Sequence, residues 1–464
     1  MIRRAPFDDL VADFASRHHC PTVSWGVVLD GRVAVSGATG DGPGVPITAD
    51  TVYRIASMTK SFSAAVTLLL RDDGTFGLDD AIGDLDPALA TLPRPTLDSP
   101  PITIRDLLGM TSGFVTDDAW ADRHLDLTDD DFDRMVADGP VYAHPTGTTY
   151  EYSNFGFAVL GRVVERCTGT TIQQHITTRL LEPLGLERTS WTRPAHDDWM
   201  PPRRRLGDID VDELAPLGDG LIAPMGGLWT TVADLAVWVA WLADAFPARG
   251  DADDGPLCRA SRREMQTTQR HVAVTDHHGR HVAGGYGYGL RVLHDPLLGV
   301  VVTHSGGLPG YGSNMRWLPG RGVGVIALSN TTYAPMTQLG GDLLELLHQQ
   351  GRADTLASVV PERLDDAARR LVDLLNGWTD EGADDLFADN VDLDDDWARR
   401  RAAAEATGPL EIDHVEPVNA ARAKIHAALV ADDRTVVVSF ALSPVDARRI
   451  QNYDIVIGDI GPDR

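Results

Sequence analysis

The chain has 464 residues, 68 of them acidic and 41 basic, for a formal net charge of −27; 43% are hydrophobic and 23% charged. That length exceeds one core and predicts two or three domains, while the acidity excludes a nucleic-acid partner, which needs clustered cations, and an anionic membrane surface. The acid is spread along the chain in groups such as Asp72-Asp73 and Asp129-Asp130-Asp131, so it reads as a solvated surface and says nothing about fold.

The N-terminal stretch MIRRAPFDDLVADFASRHHC begins basic, but Asp8, Asp9 and Asp13 interrupt any apolar run, so it does not read as a secretory signal. TVSWGVVLDGRVAVSGATG (22–40) alternates apolar and small residues around Asp30-Gly31 and predicts a hairpin. SFSAAVTLLLRDDG (61–74) predicts an apolar helix stopped at Gly74, and Thr103 is a plausible N-cap for a second helix in ITIRDLLGMTSGF (102–114). In SNFGFAVLGRVVERCTG (153–169), Phe157, Leu160, Val164 and Cys167 fall at helical spacing and Gly169 marks the end. The longest apolar run, MGGLWTTVADLAVWVAWLADAF (225–246), carries Asp234 and helical periodicity, so a buried helix explains it better than a membrane span.

Three β-like runs follow: 285–294, 298–307 and 312–330. Short Gly and Pro turns separate them, as in an antiparallel meander. A helix over 334–350 is expected to pack on that sheet. Strands at both ends with helices between predict one α+β domain, over residues 1–352, in which the N-terminal hairpin joins the late strands. Composition shifts near 351–360. A helical stretch at 367–391, then strand-like runs at 423–433, 434–443 and 451–459, predict a small α+β accessory domain over 360–464. Within it LFADNVDLDDDW (386–397) resembles the cone-shaped NTF2-like domains.

Only two of the basic residues are lysines, Lys60 and Lys424. Arginine cannot lose its proton in a protein, whereas a buried lysine can. If residues from 57 onward are helical, Ser57 and Lys60 lie one turn apart on one face, a nucleophile beside its base at a helix N-terminus. The bare S-x-x-K spacing is a weak signal. Read singly, Tyr152 is either a core aromatic or a catalytic hydroxyl, Ser153 or Asn154 either caps the next helix or serves the site, Gly306-Gly307 is either a strand end or a place of close approach, and His304 is either a packed strand histidine or a functional one.

The order of five motifs decides between these readings. RIASMTKSF, ITIRDLLGMTSGF, YEYSNFGFAVLG, GGLWTTVADLAVW and HSGGLPGYGS together resemble the serine β-lactamase and penicillin-binding-protein superfamily. The nearest likeness is to its class C-like branch of esterases, D-aminopeptidases and DD-peptidases, over residues 5 to 350. The resemblance implies an antiparallel sheet flanked by helices plus a mostly helical subdomain. It implies Ser57 as acylated nucleophile and Lys60 as base. In the Tyr152-Ser153-Asn154 motif the tyrosine would pass protons to the leaving group and the asparagine would orient the substrate amide. His304, Ser305 and Gly306 stand where most β-lactamases carry Lys-Thr-Gly, and a histidine fills this place in D-aminopeptidase-like members. The backbone N–H groups of Ser57 and Gly307 would form the oxyanion hole.

RHHC (17–20) and DHHGRH (276–281) fit no zinc spacing well, so no metal is expected, and no cofactor either. GGYGYG (284–289) lies in strands and does not read as a phosphate cradle. No G-x-S-x-G elbow occurs, which disfavours an α/β-hydrolase. Cys20, Cys167 and Cys258 are too few and too scattered for a disulfide framework. The expectation is a cytoplasmic serine hydrolase acting on a small-molecule or peptide substrate, an amide, peptide or ester. The alternative is a penicillin-binding relative that binds without turnover. Oligomeric state is not readable from the sequence.

Overall fold

The computed structural model describes residues 2–29, 31–40, 42, 46–195, 198–206, 209–212, 218–247, 250–253, 255–277, 279–352, 360–431 and 434–458. The chain divides into two units, Met1–Asp354 and Thr355–Arg464, each with its own hydrophobic core.

Eight antiparallel strands organise the first unit. In chain order they are β1 (Val23–Leu29), β2 (Arg32–Thr39), β3 (Arg270–His277), β4 (Arg280–Tyr286), β5 (Arg291–Asp295), β6 (Gly299–Leu308), β7 (Tyr311–Leu318) and β8 (Val323–Ser329). Their order across the sheet is β2-β1-β8-β7-β6-β5-β4-β3. The N-terminal hairpin therefore joins the late strands, with Val23 opposite Ser329 and Leu29 opposite Val323. Asp30 of its turn lies outside the described residues.

Alternation along β8 sets the layers. Val325 and Ala327 face the core built with helices α1 (Ala5–Arg17) and α5 (Met336–Gln349). Ile326 and Leu328 face the larger core on the other side. That second layer holds helices α2 (Thr59–Asp72), α3 (Asn154–Thr168) and α4 (Val232–Ala243). Helix α4 is the apolar run read from the sequence; its Trp238 stacks on Phe62 of α2 with ring centroids 3.9 Å apart. Among the described residues no helix is long and apolar enough to cross a membrane.

Two features differ from the sequence reading. The run 285–294 is two strands, β4 and β5, and the strand β3 beside them has no apolar run to announce it: RHVAVTDH forms the sheet edge, and most of its side chains reach solvent. In the second unit helix α6 (Glu362–Asn376) and three shorter helices precede a four-stranded antiparallel sheet, β9 (Leu410–Asn419), β10 (Arg422–Leu429), β11 (Thr435–Leu442) and β12 (Ile450–Ile457), in that spatial order. The helix Trp397–Thr407 and strand β9 escape the sequence reading because each fully buries one residue only, Ala404 and Leu410.

Candidate active site

The candidate nucleophile is set by a tight turn rather than by the helix expected from residue 57. Ala56–Met58 is a 3₁₀ turn that runs directly into α2. In 3₁₀ geometry residues i and i+3 eclipse, which brings Lys60 over Ser57: Nζ lies 3.0 Å from Oγ. Ala56, just before the serine, has φ +50°, a left-handed conformation that costs an alanine roughly 1 kcal/mol. The strain is held by packing. Ser313 Oγ donates to Ile55 O (2.7 Å), and Gly306 of β6 lies so close to Ile55 and Ala56 that a Cβ there would collide with Ile55 O. Glycine at 306 is thus demanded by the chain's own approach.

Lys60 is fully buried. Besides Ser57, its amine meets Asn154 Oδ1 at 2.7 Å and Met225 O at 2.9 Å. Burial pushes its pKa down to about 8, against the pull of Asp118, Asp122 and Asp117 in the other direction. A neutral lysine amine has two hydrogens and one lone pair. The asparagine and carbonyl oxygens can only accept, so they take both hydrogens, and the lone pair is left for the Ser57 hydroxyl.

Ser153, Asn154 and Tyr152 divide three tasks. Ser153 Oγ accepts from Gly156 N (3.2 Å) and is the N-cap of α3. Asp117 takes the next free amides, from Asn154 N (2.7 Å) and Phe155 N (2.8 Å). The Asn154 side chain is thereby released to Lys60, and its Nδ2 donates to Asp118 Oδ1 (2.8 Å) and Asp117 Oδ1 (3.2 Å). The Tyr152 ring lies 4.8 Å from Lys60 Nζ. Its hydroxyl pKa is held well above the ordinary tyrosine value by burial, with an opposing interaction from Ser57.

Strand β6 supplies the facing wall. His304 is buried; its Nδ1 donates to Ser305 O (2.7 Å), which leaves Nε2 to accept from the Tyr286 hydroxyl (3.4 Å). Burial first, and Lys60 next, push its pKa down to about 3, so the ring is neutral. Ser305 Oγ pairs with Thr337 Oγ1 (2.6 Å) and accepts from Asn314 Nδ2 (2.8 Å). Behind them the buried Arg316 guanidinium donates to Asn314 Oδ1 (3.1 Å) and Thr337 O (2.8 Å).

A cavity of about 880 Å³ is lined by Ser57, Tyr152, His304, Ser305, Gly306 and Gly307 among others, with Lys60 and Asn154 buried behind that surface. The structure thus brings all eight sequence-predicted positions to one place. It adds residues the sequence reading missed: Asp118, Asp122 and Tyr333 also line the cavity. The Tyr333 hydroxyl donates to Asp122 Oδ2 (2.9 Å), and burial raises the Asp122 carboxyl to about 7. Nothing in the segment DDAWAD (117–122) separates these acids from the many others in the chain, except the four-residue spacing that puts 118 and 122 on one helical side.

This arrangement has relatives. The family model described as Beta-lactamase matches residues 7–350. Penicillin-binding protein 4 of Amycolatopsis lactamdurans is 29% identical over 326 residues, covering 68% of this chain and 82% of its own. Esterase EstB of Burkholderia gladioli is 30% identical over 332 residues, covering 63% of this chain and 81% of its own. Among solved structures, the octameric penicillin-binding protein homologue from Pyrococcus abyssi superimposes with a TM-score of 0.65 at 20% identity over 99% of both chains. The D-stereospecific amidohydrolase from Streptomyces sp. gives 0.59 at 22% identity over 73% of this chain and 97% of that one. With a family model spanning the whole eight-stranded unit up to the end of α5, the chain belongs to the beta-lactamase family.

Proposed function

We propose that the unit Met1–Asp354 is a serine hydrolase that works through an acyl-enzyme on Ser57. The observation that carries this is the lone-pair geometry at Lys60, whose two other partners accept only. Ser57 Oγ attacks the substrate carbonyl as its proton passes to Lys60 Nζ. The tetrahedral oxyanion faces the backbone N–H groups of Ser57 and Gly307, donors worth about 10²–10³ in rate each. Collapse expels an amine or alcohol, which takes the proton by way of Tyr152, and water then cleaves the Ser57 ester to release the acid.

The substrate is a small amide, peptide or ester; the names of the esterase and amidohydrolase relatives carry the ester and the amide. His304 provides no cation in place of the family's usual lysine, because its ring is neutral and both nitrogens meet protein partners. A role in antibiotic defence is accordingly disfavoured, and a D-aminopeptidase-like or esterase-like activity is preferred. The three free cysteines suit a reducing compartment, and we assign the enzyme to the cytoplasm.

The test is a fluorophosphonate label read by intact mass, with a parallel screen of esters, anilides and peptides. One adduct on the wild type, none on Ser57→Ala, and turnover in the screen support the reading. Labelling without turnover of any substrate replaces the hydrolase with a binding protein.

A further inference from the structure

We infer that Asp122, with Asp118, forms a subsite for a substrate ammonium group, so that the substrate is a primary amine: an amino-acid amide or ester, or a peptide with a free N-terminus. This rests on the reading of Ser57 as nucleophile and narrows its substrate class.

The first support is the state of Asp122. Its side chain is more than nine-tenths buried yet lines the cavity. Oδ2 accepts from the Tyr333 hydroxyl, while Oδ1 receives no hydrogen bond from any described residue. That oxygen is not sealed from solvent, so a donor on a molecule in the cavity can reach it.

The second is the missing counter-charge. Two other buried carboxylates of this unit face an arginine: Asp86 lies 3.4 Å from Arg162 and Asp295 lies 3.4 Å from Arg280; a third, Asp234, is held instead by hydrogen bonds from Arg188 N (2.9 Å) and Thr189 Oγ1 (2.7 Å). Among the described residues no lysine, arginine or histidine lies within ion-pair distance of Asp118 or Asp122. Lys60 is near enough to feel both acids, but its amine is spent on Ser57, Asn154 and Met225. Burial first, and the neighbouring Asp118 after it, hold the Asp122 carboxyl up at about 7, and an ammonium in the cavity would restore its charge.

The third is position. Asp118 accepts from Asn154 Nδ2 (2.8 Å), and the same side chain meets Lys60 through Oδ1, so one asparagine separates the acid from the lysine beside Ser57. An amino group close to the scissile carbonyl fits that span. Acids serving only to raise the lysine pKa would act on every substrate alike, which the experiment distinguishes.

The experiment compares kcat/KM for D- and L-amino-acid p-nitroanilides carrying a free amine with their N-acetyl counterparts, using the full chain. The expected result is a preference of at least about tenfold for the free amine in one enantiomeric series. Asp122→Asn and the solvent-reaching Asp118→Asn should each lower that preference about tenfold, mainly through KM, and Asp122→Glu should retain part of it. Asp118→Asn keeps the test open if the buried variant does not fold. Equal use of free and acetylated substrates overturns the inference, as does an equal loss on both in the variants. Hydrolysis of neutral esters alone overturns it and leaves the hydrolase reading standing; absence of any Ser57 labelling or hydrolysis overturns both.

Discussion

Asn154 Oδ1 lies 2.7 Å from Lys60 Nζ, nearer than the Ser57 hydroxyl at 3.0 Å. The lysine is anchored by the asparagine and merely faces the serine, which leaves Ser57 free to move toward a carbonyl carbon. In the mechanism proposed above, the protonation state of Lys60 then sets the rate of acylation.

With a pKa of about 8, roughly a tenth of Lys60 is neutral at pH 7. The neutral form is the base, so acylation should rise with pH through neutrality and level off above about 8. The check is the second-order labelling rate at Ser57 across pH 6 to 10. Lys60→Arg retains charge but cannot act as a base, and should lose about 10³-fold or more. An arginine variant that acylates at near-normal rate would falsify the mechanism.

The neighbours Ser153 and Asn154 should separate stability from chemistry. Ser153→Ala removes the N-cap of α3 and should cost about 1 kcal/mol of unfolding free energy with labelling kept. Asn154→Ala removes an acceptor from Lys60 and should slow labelling by about 10²-fold through misplacement of the base. Denaturant melts and labelling rates on the two variants give the comparison; a slow but normally stable Ser153→Ala enzyme would show the division is wrong.

The sequence carried the sheet where strands are apolar, the helices where a glycine or cap marks an end, and the site where a motif names its residue. It missed β3 and β9, whose edge positions leave most of their side chains polar and whose pairing depends on neighbours far along the chain. It placed Ser57 on a helix, since S-x-x-K spacing is the same for a 3₁₀ turn and an α-turn. The acids at 118 and 122 were invisible because their meaning comes from what does not pair with them, a property of packing and not of spelling. Asn154 carried two readings in the sequence, cap or site, and only its distance to Lys60 separates them.

Replacing His304 with lysine tests the facing wall. The native ring is neutral near pH 7, so it offers a substrate carboxylate no Coulomb attraction. His304→Lys should raise the preference for anionic over matched neutral substrates by about 1–2 kcal/mol in kcat/KM. A second cation beside Lys60 also disfavours its protonation, so the pH profile of labelling should shift toward acid. If the wild type already strongly prefers anionic substrates at pH 8, the cation responsible is not His304, and Arg316 behind Ser305 is the one to replace next.

The second unit has its own core, from Leu364 to Ile450, and contributes none of the eight candidate site residues. We expect a chain ending near residue 352 to fold and to label at Ser57. Intact mass after labelling of the truncated protein decides it: a folded, soluble truncation that takes no label would assign residues of the second unit to the site.

The strand order has a temporal consequence. β1 is made early, yet its partner β8 lies about 300 residues later, and Gly306, the shelf on which Ile55 and Ala56 rest, follows those two by about 250. At ribosomal speeds that is an interval of roughly 15 seconds to a minute. Throughout it Phe7, Val11 and Phe14 of α1 have no sheet face complete enough to cover them. The nascent chain therefore carries an incompletely covered apolar helix and a hairpin with one open edge until translation is more than two-thirds done. Its yield in a cell should depend on whatever shelters that N-terminal segment, and its refolding from denaturant should be slow and sensitive to concentration.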